Sequence, residues 1–253
     1  MVKVNSKEKN LIIIPARKGS KSIKNKNIKL FCGKPLIYWT IKIALQSKLG
    51  KVCVSTNCKK IQSYALSLGA EAPFLRPQSI SGDKTPTEPV IQHALNFYKS
   101  RNHIFDFFFL LQPTSPFRKK SDIIKAWNTL KNNKKCSSVF SVSLAEGNNN
   151  PHWMIKKKNE KIIKFVDNKS LLNFLPRRQL LPEVYYRNDF IYISRVNNII
   201  SKRPNIYGNN PKLIILEKNR VDIDINSKRE WIIAEKLFKE RKDISLTAKN
   251  KNK

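Results

Sequence analysis

The 253-residue chain contains no apolar run that approaches the roughly 20 residues needed to cross a bilayer. The stretch from Leu11 to Pro15 is too short for the core of a secretory signal, and no small-residue cleavage pattern follows it. A cytoplasmic location is therefore expected. Cysteine is scarce. Cys32, Cys53, Cys58 and Cys136 form no CxxC pair, and no histidine lies near them at zinc-ligand spacing. They read as reduced thiols, with a redox role left open for Cys53 and Cys58. A chain of this length buries most of its apolar surface without a metal or disulfide staple. It suits one large α/β domain, or one domain with an insertion.

Acidic residues are few as well: 18 Asp and Glu stand against 50 Lys and Arg, for a net charge of +32. Such a balance invites a nucleic-acid reading. The lysines, however, are spread along the whole chain among many Asn and Ile, and most aromatics lie in apolar runs. A nucleic-acid surface calls instead for clustered cations with exposed aromatics. The charge is better read as a solvated surface whose screened field draws in polyanions such as nucleoside triphosphates.

No internal repeat is present, and the elements alternate. Leu11–Ile14, Lys51–Ser55, Phe107–Leu111 and Ser138–Val142 read as strands. Helical spacing follows Pro35, spans Ile61 to Leu68 with Gly69 as its cap, runs from about Pro86 to Tyr98, and continues from Ser121, read as an N-cap, to Leu130. Phe107–Leu111 is the most apolar of the strands and is expected near the centre of the sheet. This order argues for a mostly parallel sheet with helices on both faces, and in such sheets ligands sit beyond the carboxyl ends of the strands. The rhythm breaks between Ala145 and Pro182, which reads as an inserted arm with two short strands, Trp153–Lys156 and Lys161–Val166. Strands at Phe190–Ser194 and Leu213–Leu216 and a helix at Ser227–Phe238 complete a domain over 1–240, and 241–253 reads as a flexible basic tail.

Function is sought first in the loop from Pro15 to Asn27, which leaves the end of the first strand. Gly19 permits close backbone approach, Ser20 adds a hydroxyl and an amide donor, and Arg17, Lys21 and Lys26 carry charge suited to phosphates. No second glycine followed by Lys-Ser/Thr stands at the spacing of a Walker A loop. By itself the loop could equally be a bland basic surface turn. Asp222 and Asp224 flank one residue, so an extended segment would point both carboxylates the same way, as a hard-oxygen site for Mg²⁺. An edge strand facing water would show the same pattern.

The segments Ile14-Pro-Ala-Arg-x-Gly-Ser-Lys21 with Lys26-Asn27, Gly33-Lys-Pro-Leu36, Val54-Ser-Thr56, Leu75-Arg-Pro77, Leu111-Gln-Pro-Thr-Ser-Pro116 and Asp222-Ile-Asp224 occur in this order. Together they resemble the acylneuraminate cytidylyltransferases, across about Leu11 to Phe238. The resemblance implies a three-layer α/β/α nucleotide-diphospho-sugar-transferase-like fold, a homodimer whose arm reaches toward the partner, and a reaction of CTP with a nine-carbon 2-keto acid sugar. It implies that Arg17, Lys21 and Lys26 hold the triphosphate, that Asn27 and Arg76 lie near cytosine and ribose, and that Thr85 and Thr87 meet the base. Mg²⁺ would be held by Asp222 and Asp224. Gln112, Arg178, Gln179, Tyr186 and Asn188 fall at sugar-side positions, with Arg177 an equal alternative to Arg178. Tyr185, His152 and Trp153 belong to the same region, Trp153 either packing on the sugar's acyl group or serving as core.

Two departures stand out. Asn57 replaces an aspartate common in relatives, so no metal role falls there. Asp189-Phe190 replaces Gly-Ala, adding bulk and charge beside the expected sugar pocket. The substrate expected is therefore a sialic, legionaminic or pseudaminic type of sugar, the departure making the last two serious candidates. A 3-deoxy-manno-octulosonate enzyme, or one using another base, is the alternative; the former carries Gly-Asp where this chain has Gln-Pro-Thr-Ser-Pro.

Overall fold

The computed structural model describes residues 9–241. Most of the tail expected at 241–253 lies outside that range. The chain runs β1 (Asn10–Pro15), β2 (Leu30–Phe31), β3 (Lys34–Pro35), α1 (Leu36–Ser47), β4 (Lys51–Ser55), α2 (Lys59–Ser67), α3 (Thr87–Lys99), β5 (Phe107–Leu110), α4 (Lys120–Lys131), β6 (Ser138–Leu144), β7 (Ile155–Lys158), β8 (Lys161–Lys164), β9 (Tyr185–Arg195), α5 (Asn197–Ile200), β10 (Pro211–Ile215) and α6 (Lys228–Lys239). The described residues divide into two compact units, one of 9–141, 189–214 and 221–241, the other of 142–188 and 215–220.

The central sheet has the strand order β10-β6-β9-β5-β1-β4. β1 pairs in parallel with β4 and with β5, and Ile13 stands opposite both Cys53 and Leu110. β9 enters antiparallel beside β5, with Phe109 opposite Ile193. β5 is thus an interior strand, as its run of phenylalanines indicates. Every residue from Leu11 to Ile14 is fully buried. Leu11 and Ile13 pack with Ile91 and Ala94 of α3, while Ile12 and Ile14 point to the opposite face because strand side chains alternate. Both faces are therefore covered, the pattern expected of a parallel strand.

The element ends follow local chemistry. Gly69 takes φ 85° after α2, and its N–H reaches the Leu66 carbonyl at 2.9 Å. At α4 the expected cap is displaced. The helix begins at Lys120 behind Lys119, so Ser121 sits inside the first turn. The Asp122 carboxylate accepts the Lys119 N–H at 2.9 Å and supplies the reciprocal contact that a Ser121 cap would have required elsewhere. Ser227 does cap α6, accepting the Glu230 N–H at 3.2 Å. Phe31, Trp39, Trp231 and Phe238 meet edge to face, with centroids 4.6 to 5.5 Å apart, and join α6 to the β2–β3 hairpin.

The second unit contains the β7–β8 hairpin. β7 starts two residues later than the sequence pattern indicates, and β8 ends two residues earlier. Asn150 ties its ends together, donating to Ala145 O at 3.2 Å and Pro182 O at 3.0 Å. Trp153 donates its indole N–H to Leu175 O at 2.8 Å.

Candidate active site

β1 ends at Pro15, and the Ala16 N–H bonds Ser55 O at 2.9 Å, so the following loop starts from the carboxyl ends of β1 and β4. Gly19 adopts φ 79° in the loop. A side chain there would be strained by the backbone, not by crowding, since nothing lies within 4 Å of an added Cβ. The loop closes on itself through Asn27, whose amide donates to Arg17 O at 3.1 Å. Asn57 braces it from outside, accepting the Lys18 N–H at 2.6 Å and donating to Gln78 at 3.3 Å. Asn57 thus serves the shape of the loop.

The loop borders a cavity of about 340 Å³ within the first unit. Arg17, Gly19, Ser20, Lys26, Asn27, Arg76, Thr85, Thr87, Gln112 and Asp224 all line it, as do Asp83, Asp189 and Asn226. Regions more than 200 residues apart in sequence meet here. Lys26 reaches across to Ile225 O at 2.7 Å and Asn226 Oδ1 at 3.2 Å. Its burial pushes its pKa below the ordinary lysine value, against the pull of Asp224. Arg76 is held by a bond from its Nε to Ser81 Oγ at 3.1 Å, and burial beside Arg17 pushes its pKa down to about 10, so it stays charged at neutral pH. Thr87 is the first residue of α3, whose N-terminal N–H groups favour an anion.

Asn27 Oδ1 is buried and has no hydrogen-bond partner among the described residues. The Asp224 carboxylate accepts from Ser115 at 3.3 Å and from the Asn226 amide. The donor set suits a hard divalent cation, which takes one or two carboxylates together with substrate phosphates. The structure brings Asp224 to the cavity and leaves Asp222 off its lining; residues 221–226 belong to no strand, so the alternation that would align the two carboxylates does not hold.

The other expected residues are distributed as follows. Lys21 is absent from the lining and reaches Asp83 at 3.3 Å from the surface. Arg178 and Gln179 line a separate pocket of about 400 Å³ inside the second unit, where Arg178 meets Glu146 at 2.8 Å. Lys218 joins the same carboxylate at 3.1 Å. Asn188 is buried and donates to Ser143 Oγ at 2.9 Å, and Tyr186 is exposed.

Sequence reasoning passed over Asp83 and Arg118. Asp83 lies in the Ser-Gly-Asp-Lys-Thr-Pro turn before α3 and pairs with Arg17. An acidic residue in so basic a chain, placed in a turn that precedes a helix, was the available signal. Arg118 follows the Gln-Pro-Thr-Ser-Pro segment and is fully enclosed; among so many cations nothing in the sequence marks it.

A family model described as cytidylyltransferase matches residues 11–239. A CMP-N,N'-diacetyllegionaminic acid synthase of Legionella pneumophila is 34% identical over 90% of this chain and 95% of its own length. An N-acylneuraminate cytidylyltransferase of Escherichia coli is 33% identical over 93% of this chain, which spans 54% of that longer protein. A solved CMP:2-keto-3-deoxy-manno-octonic acid synthetase complexed with CTP is similar in fold, with a TM-score of 0.63 at 16% identity, covering 91% of this chain and 98% of its own.

Proposed function

The chain belongs to the cytidylyltransferase family, and on that footing we propose that it transfers CMP from CTP to the anomeric hydroxyl of a nine-carbon 2-keto acid sugar of sialic, legionaminic or pseudaminic type, releasing pyrophosphate. The observation that carries the reading is the meeting of Arg17, Lys26 and Arg76 around one cavity that Asn27 also lines. The sugar oxygen attacks the α-phosphorus, and charge builds on the departing pyrophosphate. Catalysis is then mostly alignment and charge neutralisation.

In this reading Arg17 and Lys26 spread their charge over the triphosphate, with Lys21 approaching from the rim. Phosphate oxygens compete with Asp83 for Arg17, so the ion pair keeps the guanidinium in place until the nucleotide arrives. Asn27 and Arg76 lie on the side of the cytosine and ribose, and Thr85 and Thr87 offer hydroxyls to the base. Gln112 serves the sugar, since its amide both donates and accepts. Arg178, Gln179, Tyr186 and Asn188 are carried to the sugar side by family resemblance. Asp224 would hold Mg²⁺, and Asp222 would support it from outside the lining. The ion, when bound, neutralises phosphate charge.

A cytoplasmic location is consistent with the absence, among the described residues, of any helix long and apolar enough to cross a membrane. A homodimer is supported by the exposed apolar side chains of the second unit, Ile162, Phe165 and Leu172 among them.

The deciding experiment measures pyrophosphate release with CTP, ATP, GTP and UTP against a panel of 2-keto acid sugars of eight and nine carbons. CTP-dependent turnover with a nonulosonate is expected. Turnover confined to the eight-carbon sugar, or to another nucleotide, would overturn the reading.

A further inference from the structure

Arg118 heads the fully enclosed side chains of the described residues by volume, yet no step above uses it. A guanidinium in such a place has lost its hydration and persists only where its donors are met. It forms no direct ion pair among the described residues. Instead its fork is spent on three oxygens. Nε donates to Phe190 O, one terminal nitrogen to Thr40 Oγ1 at 3.2 Å, and the other to Gln112 O at 2.9 Å. Burial pushes its pKa down to about 9, while Asp224 and Asp122 act in the other direction from a distance, so the group is charged at neutral pH.

These oxygens come from α1, from the loop after β5 and from β9. Two of them adjoin the cavity. Gln112 lines it directly, and Phe190 follows Asp189, which also lines it. Asp189 has φ 57°, a left-handed conformation in the middle of a strand. For a residue with a side chain this costs on the order of 1 kcal/mol and persists only where the surroundings impose it. Here the residue is gripped on both sides. Ser115 shares its one hydroxyl proton between the Asp189 carbonyl at 3.4 Å and Asp224 at 3.3 Å, Tyr192 donates to the Asp189 carboxylate, and Arg118 holds the next carbonyl.

We propose that Arg118 is a positioning residue whose guanidinium fixes Gln112 and the left-handed Asp189 together, so that one wall of the cavity presents a rigid set of hydrogen-bonding groups to the acidic sugar. The proposal rests on the reaction assigned above and assigns Arg118 no contact with substrate. Lysine cannot replace it, because a single ammonium lacks the planar fork that spans three acceptors.

The test compares Arg118→Lys, Thr40→Val and Asp189→Gly, with the Arg118→Lys/Asp189→Gly pair, in steady-state kinetics and thermal unfolding. Arg118→Lys should raise the sugar KM on the order of tenfold and leave the CTP KM within about twofold, since misplacement by about 1 Å suffices for such losses. Thr40→Val removes one of the three acceptors and should move the sugar KM in the same direction by less. Glycine adopts positive φ without strain, so Asp189→Gly should recover part of the Tm lost in Arg118→Lys. Equal rises in both KM values, or strictly additive Tm losses, would show a mere core residue. If Arg118→Lys does not fold, an unchanged sugar KM in Thr40→Val overturns the proposal. Failure of the reaction assignment would show separately, as absent turnover in the unaltered enzyme.

Discussion

Asn27 lines the cavity, and its amide holds the loop through Arg17 O. A hydrogen bond of this kind contributes about 0.5–1.5 kcal/mol, and its loss frees the backbone that carries Arg17. Asn27→Ala should accordingly lower kcat/KM for CTP by about 10-fold, with the larger share in KM. Undiminished CTP kinetics would mean that this bond does not set the shape of the loop. Lys26 adds a pH signature. Its folded pKa is depressed from 10.5 by burial, so its charge is lost, as pH rises, before pH reaches that value. The CTP KM should climb in the window below pH 10.5, and Lys26→Met should abolish that rise while raising KM at neutral pH. Asp224→Asn keeps the shape, and the amide can still accept from Ser115. It should lose metal-dependent turnover by about 100-fold or more without a matching fall in Tm. Full activity in this variant would show that the carboxylate holds no cation.

At the scale of elements, α6 shows how local chemistry supports the site. Ser227 caps the helix, and Glu230 accepts the N–H groups of Asn226 at 2.8 Å and Ser227 at 2.7 Å. Asn226 in turn contacts Asp224 and Lys26. Burial alone would raise the Glu230 pKa, but those hydrogen bonds and nearby Lys26 prevail and hold it below 4.5. The sign follows: the cap contributes fully above the ordinary carboxylate value, and its contribution is lost as pH falls through the depressed one. Ser227→Ala should cost about 1 kcal/mol, read as a lower Tm at pH 7, and Glu230→Gln should flatten the loss of stability below pH 4.5. Period and punctuation made such elements legible. The burial of Leu11–Ile14, the Lys51–Ser55 strand and the start of the last helix near Ser227 all follow from residue pattern alone. The short α5 and the antiparallel entry of β9 beside β5 were not, because pairing direction is set by long-range packing that a single strand's pattern does not encode. The same limit applies in the site. The phosphate loop announces itself through glycine and cations grouped in one turn, whereas Asp83 and Arg118 acquire meaning only through what the fold sets against them.

For the whole molecule, the excess of 32 positive charges acts on the approach of the substrates more than on their bound state. CTP and the sugar are both anions, and a field of one sign raises their local concentration at the cavity mouth. The reach of that field is about 10 Å at 0.1 M ionic strength and about 3 Å at 1 M. Contacts inside the cavity are screened far less, since Arg17, Lys26 and Arg76 are partly or wholly withdrawn from water. Salt therefore separates the two contributions. Raising NaCl from about 0.05 M to 0.5 M should raise the CTP KM several-fold while kcat changes by less than about twofold. Neutralising surface lysines remote from the cavity, such as Lys99 and Lys131, should weaken the salt dependence without altering kcat. A KM that is flat with salt would confine binding to the cavity's own cations and leave the basic surface without a part in capture.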